Sequence, residues 1–194
     1  MAYVVTTPPT TEPISLTEAK LQCRVLDGVL DDDALLNIYI AAARQEAEQK
    51  TGRALLTQTI TEYFPSWSGC YELAVWPVQS VSSVAYIADG GSTYTPLTVD
   101  THYYTDLIAA PAEVRHPGGF TYPALSQRPN PVRITYIAGN TQASDVPPTI
   151  RQGMLLLIAA AYEHREDAEI VWATSDPRVQ ASDALFRNNR VRYL

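Results

Sequence analysis

The chain has 194 residues, 46% of them hydrophobic and 18% charged, with a formal net charge of −7. That length supports one sizeable core with room for a smaller lobe, and the acidic balance excludes a surface built broadly to grip nucleic acid or anionic lipid. Cys23 and Cys70 are the only cysteines and form no CxxC pattern, which argues against a disulfide scaffold.

Residues 1–14 are rich in Thr and Pro and read as an extended arm. The N-terminus has no basic residue and no long apolar block, so it does not resemble a secretory signal, and a cytosolic origin is expected. Ser15-Leu-Thr-Glu18 has the spacing of a capping box and predicts a short helix to about Arg24, broken by Gly28. A stronger helix is predicted from Asp33 to Thr51. Leu36, Ile40, Ala43 and Ala47 form one stripe along it, Asp31 to Asp33 sit at its N-terminal end as capping groups, and Gly52 is placed for a left-handed cap. Ala41, Ala42 and Ala43 leave little bulk, so a neighbouring helix can approach closely there.

From residue 54 to 138 the pattern turns to strands. Leu56, Gln58, Ile60, Glu62 and Phe64 alternate with Thr57, Thr59, Thr61 and Tyr63. Tyr71–Val75, Val78–Ile87, Tyr94–Leu97, His102–Thr105, Ala112–Arg115 and Val132–Ile137 follow, with Asp89-Gly90-Gly91-Ser92 as a hairpin-type turn. A small antiparallel β section inserted between helices is the reading.

Pro147 and Pro148 then open a helix predicted to reach Arg165. Its run Met154–Tyr162 is apolar throughout but is half the roughly 20 residues that a membrane span needs. Ile150, Met154, Ile158 and Tyr162 form one face, suited to the Leu36–Ala47 stripe. Leu155, Leu156, Ala159 and Ala160 need a second cover, from the β section or from a neighbouring subunit. After Ala168 the periodicity weakens, Ser175-Asp-Pro177 reads as a break, and residues 169–194 read as an extended C-terminal tail. That end is locally basic, with Arg178, Arg187, Arg190 and Arg192 against Asp176 and Asp183, whereas Asp27, Asp31, Asp32 and Asp33 gather near the front. Such asymmetry suits head-to-tail contacts.

Chemistry-bearing motifs are sparse. His102, His116 and His164 lack metal-ligand spacing, and His164 reads as a solvated helix end. Asp31 to Asp33 lack the spacing of a calcium loop. The Gly90-Gly91 turn lacks a phosphate-loop lysine, and no nucleophile elbow is present. No catalytic, metal-binding or cofactor-binding residue is assigned, and an enzyme is not expected. Trp67, Trp76 and the many tyrosines leave one alternative, a stand-alone β-rich module for carbohydrate or peptide.

The order of several phrases resembles the head–tail connector (adaptor) family of tailed phages and gene transfer agents. They are Pro13-Ile-Ser-Leu-Thr-Glu-Ala-Lys20, Asp32-Asp-Ala-Leu-Leu36, Ile40-Ala-Ala-Ala-Arg44, Thr51-Gly-Arg53, Trp76-Pro-Val-Gln-Ser-Val-Ser-Ser-Val84, Val146-Pro-Pro-Thr-Ile-Arg-Gln152 and Tyr162-Glu-His-Arg-Glu166. The likeness covers about residues 13 to 168.

It implies an α+β fold, with a helical connector core at 15–53 and 139–168, the inserted β section at 54–138 and the tail at 169–194. It also implies a structural virion protein that forms a ring, usually dodecameric, beneath the portal protein. Such a ring extends the channel for double-stranded DNA and docks a stopper or tail-terminator protein, after synthesis in the host cytoplasm and with no membrane role. Carried onto this sequence, the resemblance implies portal contacts at Arg187, Arg190, Arg192 and Tyr193. A ring seam is expected at Ala41, Ala42, Leu155, Leu156, Ala159 and Ala160.

Overall fold

The computed structural model describes residues 2–26, 28, 30–164 and 176–191. The chain divides into two compact units, one built on Met1–Pro9 with Thr57–Gly139, the other on Thr10–Leu56 with Asn140–Val191.

The second unit is helical. Helix α1, Leu16–Cys23, starts at the expected capping box: Glu18 N–H donates to Ser15 Oγ at 3.2 Å while Ser15 N–H donates to Glu18 Oε2 at 2.8 Å. Helix α2, Asp33–Thr51, buries Leu36, Ile40, Ala43 and Ala47, and ends at Gly52 with φ 68°. The aspartates at its start do not cap it as the sequence suggested. Asp32 makes no side-chain cap bond and instead accepts from Tyr162 Oη at 2.6 Å, while Asp33 pairs with Lys20 at 2.5 Å. Both carboxylates therefore tie helices together, a role that a capping pattern does not reveal.

Helix α3, Pro148–Glu163, has Pro148 in its first turn, where a missing amide costs nothing. It is contacted by α1, by α2 and by a fourth helix, α4, Pro177–Asn188. This explains a helix that is apolar on every side: it is the centre of the unit. Among the described residues, the C-terminal stretch is thus helical rather than an extended tail. Asp176 caps α4 by accepting from Arg178 N–H at 2.7 Å, and Pro177 opens it. Val179, Ser182 and Phe186 form its buried face. The helix runs antiparallel to α3, because Arg178 pairs with Glu163 at one end and Asn189 Nδ2 donates to Thr149 Oγ1 at 2.9 Å at the other. Gly153 is where the two helices meet most closely: a Cβ there would lie 2.6 Å from Phe186. Beyond the helix, Val191 N–H donates to Thr51 O at 2.9 Å.

The other unit is antiparallel β. Strands β1 (Ala2–Thr7), β2 (Gln58–Phe64), β4 (Val78–Ile87), β5 (Tyr94–Pro96) and β8 (Val132–Ala138) form one sheet in the order β1-β2-β8-β4-β5. Strands β3 (Cys70–Glu72), β6 (Tyr104–Asp106) and β7 (Glu113–Arg115) form a second, in the order β3-β7-β6. The inward row of β2, Gln58, Ile60, Glu62 and Phe64, stands opposite Ala138, Tyr136, Ile134 and Val132 of β8, and all eight are buried. The expected N-terminal arm is not free: Ala2–Thr7 pairs with β2 as an edge strand, Val4 opposite Thr61. Its Tyr-Val-Val-Thr composition fits a pleated surface, and Pro8-Pro9 stops it.

Candidate assembly surface

The basic residues near the end of α4 take two forms. Lys50 is held by Glu46 at 2.8 Å and by Asp183. Burial alone would depress its ammonium, but hydrogen bonds to Asp183 and Glu46 outweigh that and hold it above the ordinary lysine value. Arg187 and Arg190 are exposed and, among the described residues, make no ion pair. Together with Gln49, Lys50 and Asp183 they line an open cleft of about 370 Å³. Two guanidinium groups without an ion pair among the described residues thus stand beside a lysine whose charge is matched by two carboxylates. Arg192 and Tyr193, the other two expected portal contacts, lie outside the described residues.

The expected seam residues are dispersed. Ala41 and Ala42 are half-buried on α2, and Leu155 and Leu156 are half-buried on α3. Ala159 and Ala160 are 9% and 0% exposed, covered by this chain's own helices. Their second cover is largely this chain's own, with Ala159 at the edge of an open cleft. The apolar groups that are uncovered lie elsewhere in the helical unit. Leu21, Leu26, Leu30 and Ile38 are 72%, 77%, 71% and 63% exposed. Sequence reading passed over them; the available signal was that they fall off the Leu36–Ala47 stripe while no other pattern claims them.

A larger cleft of about 570 Å³ lies between the ends of α1, α3 and α4, bordered by Cys23, Tyr162, Glu163 and Arg178. Burial pushes the Cys23 thiol up to about 11, so it is no thiolate nucleophile. Glu163 and Arg178 are paired with each other. His164 lies 3.4 Å from Asp176 rather than at a solvated end alone.

Among the described residues, no cluster of three or more His, Cys, Asp or Glu is placed to hold a metal, and no helix is long and apolar enough to cross a membrane. The aromatics of the β unit are mostly spent on each other. Trp67 lies within 6.2 Å of Tyr86, His116, Phe120 and Tyr122, and its indole N–H donates to Pro123 O at 2.8 Å. A ring committed to neighbours in this way is not a free stacking platform.

Residues 13–86 match the family of phage gp6-like head–tail connector proteins. No curated protein matches the chain. Among solved structures, a chain from the neck of an empty gene transfer agent particle, computed with C6 symmetry, is similar with a TM-score of 0.75 at 25% identity. A chain from a native gene transfer agent virion has a TM-score of 0.74 at 24% identity. A chain from the neck of a native particle, computed with C12 symmetry, has a TM-score of 0.74 at 23% identity. Each comparison covers 100% of this chain and 98% of the other. The matched family is one of head–tail connectors, and the similar solved chains are parts of gene transfer agent particles and their necks. The chain thus joins the sequence pattern of the phage gp6-like head–tail connector family, over residues 13–86, to the full-length fold of gene-transfer-agent neck chains.

Proposed function

We propose that this protein is a head–tail connector that assembles as a ring beneath a portal protein, extends the DNA channel and docks a stopper or tail-terminator protein. The observation that carries the reading is the likeness across the whole chain to neck chains of gene transfer agent particles, some computed with C6 and C12 symmetry. The family match over residues 13–86 supports it independently. A dodecameric ring, a location at the head–tail interface, and synthesis in the host cytoplasm beforehand complete the proposal.

Within it, Arg187 and Arg190 dock the portal, and the exposed Leu21, Leu26, Leu30 and Ile38 meet the neighbouring copy. A ring requires one patch on each subunit to fit a different patch on the next. An acidic chain also suits a channel wall along which DNA must slide without sticking.

Electron microscopy of purified particles tests the proposal: density for this chain is expected as a ring between portal and tail. Particles that lack the chain, with purified protein that instead retains glycans on an array, would replace this reading by the β-rich binding module.

A further inference from the structure

The imidazole of His116, next to β7 in the three-stranded sheet, is only 9% exposed. Its Nδ1 lies 2.7 Å from His102 O. A carbonyl oxygen only accepts, so the proton of the neutral ring sits on Nδ1 and Nε2 carries the lone pair. That Nε2 is buried with no hydrogen-bond partner among the described residues.

What surrounds the ring is aromatic. Phe120 stacks on it at 4.5 Å and 6°, while Trp67, Tyr71 and Tyr122 stand edge-on at 5.5, 5.9 and 5.3 Å. The titratable groups facing it are His102, Tyr71 and Tyr122. Burial pushes the Tyr71 hydroxyl up to about 12, so it stays neutral. His102 presents its carbonyl to His116, and its own Nδ1 accepts the Thr98 N–H at 2.9 Å. On β7 the exposed Arg115 is paired with Glu113 at 2.5 Å. No carboxylate among the described residues faces Nε2.

A second proton on this ring would therefore be a buried N–H⁺ with neither acceptor nor counter-charge. The Phe120 face returns part of the cost by a cation–π contact, but less than burying an unpaired charge loses. Burial accordingly holds the His116 imidazole below its ordinary value; the hydrogen bond to His102 O works against this and the charge of a protonated His102 ring works with it, and burial prevails.

We propose that His116 is an acid-operated latch: proton uptake at Nε2 releases the 116–123 segment from the three-stranded sheet while the helical unit keeps its fold. The segment is held by few other bonds. His116 N–H donates to Gly69 O at 3.1 Å, and Trp67 Nε1 donates to Pro123 O at 2.8 Å. Opening uncovers Trp67 and Phe120, half-buried in the closed segment, beside Tyr122, which is already exposed.

The sign follows from linkage. The folded ring binds its proton less readily than the open one, so closure is complete above the ordinary imidazole range and weakens as pH falls towards the depressed native value. Across that window the opening constant rises by up to about tenfold per pH unit.

Hydrogen–deuterium exchange read by mass spectrometry, corrected for intrinsic pH effects, tests this on the full chain. Peptides covering 116–123 should lose protection on acidification while peptides of α2 and α3 do not. His116→Phe keeps the stack on Phe120 without a titrating nitrogen, and His116→Asn keeps a donor towards His102 O. Both should hold the segment closed at acid pH, and His164→Gln should behave like the parent. Unchanged protection of 116–123 in the acidified parent, or an acid loss that persists in both His116 variants, overturns the latch.

Discussion

Glu62 shows how one side chain sets a local pH response. Its carboxyl is 0% exposed in the inward row of β2, where Oε1 accepts Ala74 N–H at 2.7 Å and Tyr136 O–H at 2.5 Å. Oε2 is buried with no hydrogen-bond partner among the described residues. Burial pushes the carboxyl above the ordinary glutamate value, and the bonds from Tyr136 and Ala74 recover only part of that. A folded-state value raised in this way gives stability that is full below the ordinary carboxylate range and lost as pH rises through the raised value. Glu62→Gln keeps an oxygen for both donors and removes the ionisation. Thermal melts from acid to neutral pH should show the parent losing stability relative to the variant. Parallel melting curves would mean that Glu62 does not titrate inside this window. The inward placement was legible in the sequence, because Glu62 falls in one alternating row with Ile60 and Phe64. The partners were not, since Tyr136 lies 74 residues away.

At the scale of elements, α2 and α3 could be read almost to the residue because their apolar stripes and their Gly52 and Pro148 boundaries agree. Helix α4 could not. Only Val179, Ser182 and Phe186 of it are buried, and its arginines drew the reading towards a solvated tail. Yet Asp176-Pro177 has the form of a helix start, and Gly153 inside an otherwise apolar helix marks the place where Phe186 lies. Edge strand β1 was hidden in the same way by the prolines that follow it. The Gly153 contact gives a sharp prediction. An alanine in a helix interior is favoured over glycine by about 1 kcal/mol, whereas overpacking a tight core costs about 1–3 kcal/mol. With a fully buried ring 2.6 Å from the new Cβ, the clash should win. Gly153→Ala is expected to lower stability in denaturant titrations, and adding Phe186→Leu should cost less than the sum of the two single changes. A stabilised Gly153→Ala protein would show that α4 is not seated on α3. Because α4 fills this core, deleting it would open the helical unit, so docking has to be probed by surface charge changes instead.

For the whole molecule, a net charge of −7 means that copies brought side by side repel, and salt screens this only beyond about 8–10 Å. The proposed ring must therefore close on patches where apolar contact outweighs repulsion. In the helical unit the uncovered candidates are Leu21, Leu26, Leu30 and Ile38. Introducing Leu26→Asp together with Ile38→Asp removes two of these side chains and adds two like charges. Loss of roughly 1.4 kcal/mol per contact corresponds to tenfold in association, so incorporation into particles should fall by at least about tenfold. Both side chains are largely exposed in the single chain, and the melting curve should stay within about 0.5 kcal/mol of the parent. Arg187→Glu with Arg190→Glu should act differently, keeping association between copies while lowering attachment to the portal. Quantitative mass spectrometry of purified particles, beside pull-down on isolated portal, separates the two. If the aspartate pair enters particles as well as the parent does, the seam lies on another face of the helical unit, and the half-buried Ala41, Ala42, Leu155 and Leu156 are the next residues to change.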